Sequence, residues 1–302
     1  MTERHINTSQ WLLLGVLSIV WGSSFFFFKV LVAALPPFTL VLGRVGMAAI
    51  ALHLVMIARG TPFRLTRDQI GPFLLLGLIN NVVPFVLIAF GETRIASGLA
   101  AILNGTTPLF TVLVAHFFTH EKLTPGKVVA LFLGMAGVIV LTGPGALHGL
   151  GGNLTGELSC LMAAVIYGFG TNYSRRFSTL SPLTVVTAQS TAGIVWLVPM
   201  VLLFDHPWTL FPLDAKIWAA WVGIALPSTA FAYLMFFRLI RTIGPTNVVL
   251  VTLLVPVSAL LLGALFLGEA VTLHAVAGMA LIGLSLAAID GRLWRRLRPA
   301  QA

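Results

Sequence analysis

Seven stretches of this sequence run without a single Asp, Glu, Lys or Arg: residues 11–28, 70–91, 95–120, 128–156, 182–204, 217–237 and 242–268. A helix of about 20 residues crosses the hydrocarbon of a bilayer, so each stretch is a candidate span. Three less uniform ones join them: 37–58, interrupted by Arg44, and the shorter 158–174 and 274–289. Lipid offers the backbone no hydrogen-bond partners, and these apolar runs are continuous rather than alternating. The spans are therefore helices and not barrel strands, and ten are expected. With 58% hydrophobic residues, 9% charged residues and a mean hydropathy of +1.00, the soluble two-domain reading that 302 residues would otherwise invite is excluded.

The opening MTERHINTSQ leads straight into an apolar run with no Ala-x-Ala-like site behind it, so the first helix is expected to be retained rather than cleaved. Cys160 is the one cysteine and lies within a span, which rules out an intramolecular disulfide and speaks against a thiolate metal site. No cofactor is expected. The net charge of +9 could suggest nucleic acid, but its placement points to a bilayer. With both termini cytoplasmic, Arg4, Arg59, Arg64, Arg67, Lys122, Lys127, Arg175, Arg176, Arg238, Arg241, Arg292, Arg295, Arg296 and Arg298 fall on the cytoplasmic side. Only Lys29, Arg94 and Lys216 fall outside, and Arg44 is embedded. That is the positive-inside asymmetry, and RLWRRLR, in a basic cytoplasmic tail over 291–302, reads as a topology anchor near anionic lipid.

The chain also repeats itself. The fourth span contains PLFTVLVAHFFTHEKLT and the ninth PVSALLLGALFLGEAVT; Pro256, Glu269 and Thr272 follow Pro108, Glu121 and Thr124 by 148 residues each, and Tyr233 follows Phe85 by the same interval. Trp21-Gly22 with Lys29 matches Tyr167-Gly168 with Arg175 at an interval of 146, and Pro37, Thr39 and Arg44 match Pro182, Thr184 and Gln189 at 145. Small loop indels account for the drift, so a duplication is expected, with five-helix halves over 11–147 and 154–290. Five is odd, so the second half enters the membrane from the opposite side. Inverted repeats of this kind go with alternating access around a substrate site near the bilayer midplane.

WGSSFFFFK, the early Arg44 of the second span and the paired segments running from proline to an LGE-like end resemble the drug/metabolite transporter superfamily, in particular its ten-helix exporters built from two EamA-type domains. The resemblance covers essentially the whole chain. Within the superfamily the chain is most similar to the bacterial amino-acid exporters that include the aromatic amino acid exporter. This implies a bacterial inner-membrane exporter of amino acids or similar zwitterionic metabolites, with a cavity among spans one, three, four, six, eight and nine. On that footing the residues expected at the substrate or cavity are Trp21, Arg44, Asn81, Phe85, Asn104, Tyr167, Ser228, Tyr233 and Thr252. Those expected to gate or brace the fold are Lys29, Pro108, Glu121, Arg175, Pro256 and Glu269.

Each has a structural reading beside the functional one. Gly22, Ser23 and Ser24 are small residues that let helices approach closely; alternatively the notch faces the cavity, with Trp21 lining it. Lys29, about 12 Å beyond Trp21 along a helix, can snorkel to the interface, act in gating, or meet an anionic substrate as an analogous cation does in a sugar-phosphate branch of the superfamily. The four consecutive phenylalanines point all around a helix and suit lipid contact and packing. Arg44 needs a partner, whether a substrate carboxylate, a helix end or the outer interface. Of the adjacent Asn80 and Asn81, at most one can face a cavity. Glu121 and Glu269 each precede a threonine by three residues, and Thr124-Pro125 has the form of an N-cap followed by proline at the first helical position. Carboxylates there favour a positive helix end, which suits a structural or gating role over proton carriage. His53 and His116 are lone histidines and make no metal site.

All nine acids fall at span ends or in loops, whereas a proton-driven pump usually keeps one within a span. A facilitator is therefore expected, with proton-coupled efflux of drugs or lipophilic cations as the alternative, and a lipid-handling protein or an intramembrane enzyme further off. HExxH, GxSxG and GxxxxGK[ST] are all absent, so no enzymatic activity is expected. The expected partners are a small-molecule substrate and the bilayer. A reporter fused after Arg298 is expected to read cytoplasmic; a periplasmic reading would overturn the inverted assignment.

Overall fold

The computed structural model describes residues 8–119, 124–142, 153–210, 212–243, 248 and 250–289, and the regular elements among them are all helical. Among the described residues seven helices are long and apolar enough to cross a membrane: α1 (Thr8–Leu31), α2 (Pro37–Ala58), α3 (Arg67–Glu92), α4 (Ser97–Phe118), α6 (Leu154–Phe177), α7 (Pro182–Asp205) and α8 (Ala215–Phe236). Three shorter apolar helices complete the order: α5 (Pro125–Thr142), α9 (Leu250–Leu267) and α10 (Leu273–Ile289). Two spans that look weak in sequence are full-length, because Arg44 is buried against protein and Glu157 sits in the first turns of α6. Conversely, the clean run over 128–156 is not one described span: its helix from Pro125 is described to Thr142, and residues 153–156 belong to the start of the next helix.

Local chemistry sets the helix starts. Pro37, Pro125 and Pro182 open α2, α5 and α7, where a missing N–H costs nothing. Ser181, Thr124 and Thr272 side chains accept from the backbone N–H groups of Thr184 (3.1 Å), Lys127 (3.4 Å) and Ala275 (3.1 Å), the capping geometry expected of such residues. Inside the bundle the helices are deformed. A π-helical turn interrupts α3 at Leu78–Val82 and α8 at Leu226–Phe231; the two begin 148 residues apart, at one register of the repeat. α4 breaks between Ser97–Asn104 and Thr107–Thr119, and the Thr106 and Thr107 hydroxyls donate to the carbonyls of Leu103 and Asn104 (2.6 and 2.7 Å). Such interruptions free backbone groups and are frequent at functional sites.

The packing is symmetric under a shift of five helices. α1 lies against α8 and α9, α6 against α3 and α4, α2 against α7, and α5 against α10. Exchanging each helix for the one five places along maps this set of neighbours onto itself. Gly22 and Gly168 show why. A methyl on Gly22 would strike Ser258 Oγ and come within 3.0 Å of the Ala259 nitrogen on α9, while one on Gly168 would lie 2.9 Å from the Phe110 carbonyl carbon on α4. Both are backbone-to-backbone crossings, and overpacking of this sort costs about 1–3 kcal/mol. Gly22→Ala and Gly168→Ala are expected to lower the melting temperature in detergent, whereas Gly46→Ala, facing open space, leaves it unchanged; equal melting for all three would contradict this packing.

Candidate functional site

A cavity of about 250 Å³ lies within the bundle, walled by α1, α2, α3, α4, α6, α8 and α9. Its apolar surface is largely aromatic: Trp21, Phe25, Phe28, Phe85, Tyr167 and Tyr233. Its polar groups come from Ser24, Arg44, Asn104, Thr107, Ser228 and Thr252, and Pro108 adjoins the break in α4. Helix period places these side chains together, with Trp21, Ser24, Phe25 and Phe28 at successive turns of one face of α1. The rings brace one another, Tyr233 edge-on to Trp21 (centroids 6.4 Å apart) and Tyr167 edge-on to Phe85 (6.3 Å).

Arg44 is the centre of this arrangement. It is 6% exposed, and its guanidinium carbon lies 3.8 Å from the Phe85 ring centroid and 4.9 Å from that of Phe28. Nε donates to Thr229 Oγ1 (3.1 Å), and that hydroxyl donates to the Ile224 carbonyl (2.8 Å), one of the groups the α8 π turn reorganises. The two terminal nitrogens pair with no acceptor among the described residues. Its repeat mate Gln189 is spent within the protein, accepting from Asn80 Nδ2 (3.3 Å) and bonded to the Tyr233 hydroxyl. Two further cavity groups are unpartnered: Ser24 Oγ and Asn104 Oδ1 are buried with no hydrogen bond from the protein. One cavity thus holds spare cationic donors and a spare amide acceptor.

The two ends of the bundle differ. At the end carrying Lys29, charged side chains close on helix termini of opposite partial charge. Lys29 Nζ donates to the carbonyls of Glu92 (2.7 Å) and Ile95 (2.8 Å) at the close of α3. Glu269 accepts from Ser97 N (2.8 Å), Ser97 Oγ (2.7 Å) and Gly98 N (3.3 Å) at the start of α4. Asp205 accepts from Thr39 N (2.6 Å) and Thr39 Oγ1 (2.9 Å) at the start of α2. At the other end a crevice of about 760 Å³ opens between apolar Leu13, Leu183, Phe231, Leu234 and Met235, with Arg59 and Arg238 at its border. α8 borders both spaces, turning Ser228 and Tyr233 to the cavity and Leu234, Met235 and Arg238 to the crevice.

Of the residues singled out in sequence, Trp21, Arg44, Phe85, Asn104, Tyr167, Ser228, Tyr233 and Thr252 meet at the cavity. Asn81 does not; it is 2% exposed and packs beside Gly193 of α7. Pro108, grouped with the bracing residues, borders the cavity, while Pro256 packs against Gly105 at the α4 break. Lys29 and Glu269 tie helix ends, and Glu269 caps α4 rather than the helix that follows it. Arg175 opens a 3-10 turn at the far end of α6. Glu121 lies outside the described residues. Phe25 and Phe28, read as packing side chains, also reach the cavity; their three-residue spacing was the available signal. Thr229, the partner of Arg44, carried none, being 185 residues away. Among the described residues no His, Cys, Asp and Glu cluster could hold a metal ion.

Comparison with known proteins adds an independent line. The model of the EamA-like transporter family matches residues 9–143 and 154–289. The chain is 24% identical to the uncharacterized transporter YoaV of Bacillus subtilis, over 89% of this chain and 93% of that protein. It is 27% identical to an uncharacterized transporter of Archaeoglobus fulgidus, over 92% and 97%, and 27% identical to the uncharacterized inner membrane transporter YedA of Escherichia coli, over 95% and 92%. A crystal structure at 23% identity superposes with a TM-score of 0.69 over 97% of this chain and the whole of the other, a likeness of fold.

The cavity can be tested apart from transport. In a Cys160→Ser background, Thr252→Cys, part-exposed at the cavity, is expected to react with a small membrane-permeant maleimide much faster than the buried Asn81→Cys; equal rates would contradict the placement of these two residues.

Proposed function

This chain belongs to the EamA-like transporter family and is a multi-pass membrane transporter, and from that premise we propose that it exports amino acids or closely related zwitterionic metabolites across the bacterial inner membrane. The observation that carries the reading is the complementarity of unpaired groups in one cavity: Arg44 N–H donors for a carboxylate, Asn104 Oδ1 and Ser24 Oγ for an ammonium, and aromatic walls for a side chain. At about 250 Å³ the cavity falls just below the ~300–1,000 Å³ range of pockets for drug-sized ligands, which suits a small metabolite.

The transport cycle follows from the unequal ends. We read the chain as ten helices in two inverted halves with both termini cytoplasmic; the shared π turns and the exchange of neighbours under a five-helix shift support this. In that topology the crevice faces the cytoplasm and the tied end faces outward, the posture in which an exporter loads. Release then requires the Lys29, Glu269 and Asp205 ties to part. Among the described residues no carboxylate lines the cavity, which supports a substrate that moves down its own gradient as in a facilitator. The same absence weighs against efflux of lipophilic cations, which would meet Arg44 and no counter-charge. A sugar phosphate would want several cations, and among the described residues only Arg44 reaches the cavity. The chemistry is non-covalent, with no enzymatic step.

Charge-assisted hydrogen bonds contribute about 1.5–3 kcal/mol, so Arg44→Gln is expected to raise KM for amino-acid efflux about 10- to 100-fold while leaving the corresponding amino-acid amide, which lacks the carboxylate, nearly unaffected. Equal losses for both substrates would contradict a carboxylate role for Arg44.

A further inference from the structure

We propose that Glu92 is a proton-binding site that controls opening of the Lys29 end of the bundle. Glu92 is the last residue of α3 and is 0% exposed. Both of its carboxylate oxygens are buried without a hydrogen bond. The burial is produced by a close helix crossing one residue earlier, where a methyl on Gly91 would strike Cys160 Sγ and lie 2.9 Å from the Gly156 carbonyl of α6. The charged and titratable groups near enough for their charge to act on this acid are Lys29 from α1, Arg44 from α2 and Glu269 beyond α9, with Cys160 and, past it, Glu157 on α6. None of them bonds it. Lys29 donates instead to the backbone carbonyls of Glu92 and Ile95, and Glu269 is committed to the start of α4.

An ionised carboxylate with no donor, at the negative end of its own helix, carries a desolvation penalty of several kcal/mol. The neutral acid leaves only an unsatisfied hydroxyl and carbonyl, about 1–3 kcal/mol. The closed end therefore holds a proton on Glu92. Opening withdraws Lys29 from the two carbonyls; the carboxyl O–H bond breaks, the proton passes to water at that end, and the freed ammonium pairs with the carboxylate. Closing reverses each step. Because the proton enters and leaves on one side, flux stays downhill while its rate follows the outer pH. The closed form keeps its advantage at pH values below the ordinary carboxylate range, near ~4.3, and loses it as pH rises. One proton released per opening gives up to about a tenfold gain per pH unit within that window.

This inference rests on the alternating-access reading and on nothing about the substrate, so its test uses none. Full-length protein carrying Cys160→Ser and Ile88→Cys, whose side chain borders the cavity one turn before Glu92, is placed in vesicles. It is labelled from the Lys29 side with a membrane-impermeant maleimide between pH 5 and 8. Rates are normalised to those of an Arg94→Cys variant, an exposed position, which corrects for thiol ionisation. The expected result is labelling that rises with pH, and a profile flattened at its low level by Glu92→Gln. Glu92→Asp, which preserves an acid, keeps the rise and guards against poor insertion of the first variant. A flat profile without either Glu92 substitution, or a slope that persists in Glu92→Gln, would overturn the proposal. Uphill amino-acid accumulation driven by a pH gradient and abolished by Glu92→Gln would uphold the proton site while overturning the facilitator reading.

Discussion

Everything in the interior of this bundle is arranged around one cation that has too few partners. An arginine at the centre of a membrane helix costs roughly 2.5–3.5 kcal/mol on insertion scales. The faces of Phe85 and Phe28 return about 0.5–2 kcal/mol by cation–π attraction, and one hydrogen bond to Thr229 adds a modest amount. Those contacts orient the guanidinium without satisfying its terminal nitrogens. The remaining donors face a cavity in which two further polar atoms, Asn104 Oδ1 and Ser24 Oγ, are likewise unpaired. Left this way, a fold loses stability; an anionic group arriving with its own donors restores the balance. That is the physical reason to read the cavity as a binding site rather than a packing defect.

The ends of the bundle show the same electrostatics at helix termini. Lys29, Glu269 and Asp205 each meet a helix terminus of opposite partial charge, and each joins helices distant in sequence. The opposite end has a wide crevice bordered by arginines. The π turns of α3 and α8 and the break in α4 place non-ideal backbone next to the cavity, where membrane helices tolerate it because the freed groups face protein or a hydrated space.

Much of this was legible in the sequence because the bilayer simplifies the problem. Uninterrupted apolar runs marked most of the helices, and Arg44 announced itself as the one charge well inside such a run. The resemblance carried by WGSSFFFFK and the paired proline segments pointed to the aromatic and amide residues that meet at the cavity. What escaped depends on contacts between distant helices. Thr229 has no local signature as the partner of Arg44. Glu269 looked like a cap for the helix beginning at Leu273, yet it binds the start of α4 because α9 ends beside it. Asn81 differs from Asn80 by a rotation of 100° on an ideal helix, and the π turn through both residues alters that phase. Glu92 looked like an ordinary span-end acid; only the Gly91–Gly156 crossing, which seats α6 against it, takes it out of water.

We read the Arg44 cavity as carrying zwitterions outward without an energy source. The most direct measurement is efflux from proteoliposomes loaded with labelled phenylalanine, threonine or methionine, with and without an imposed pH gradient. The account predicts saturable efflux of at least one of them down its own gradient, competed by free amino acids but not by their esters or N-acylated forms. Absence of saturable efflux for all three, or equal competition by the blocked derivatives, would contradict it.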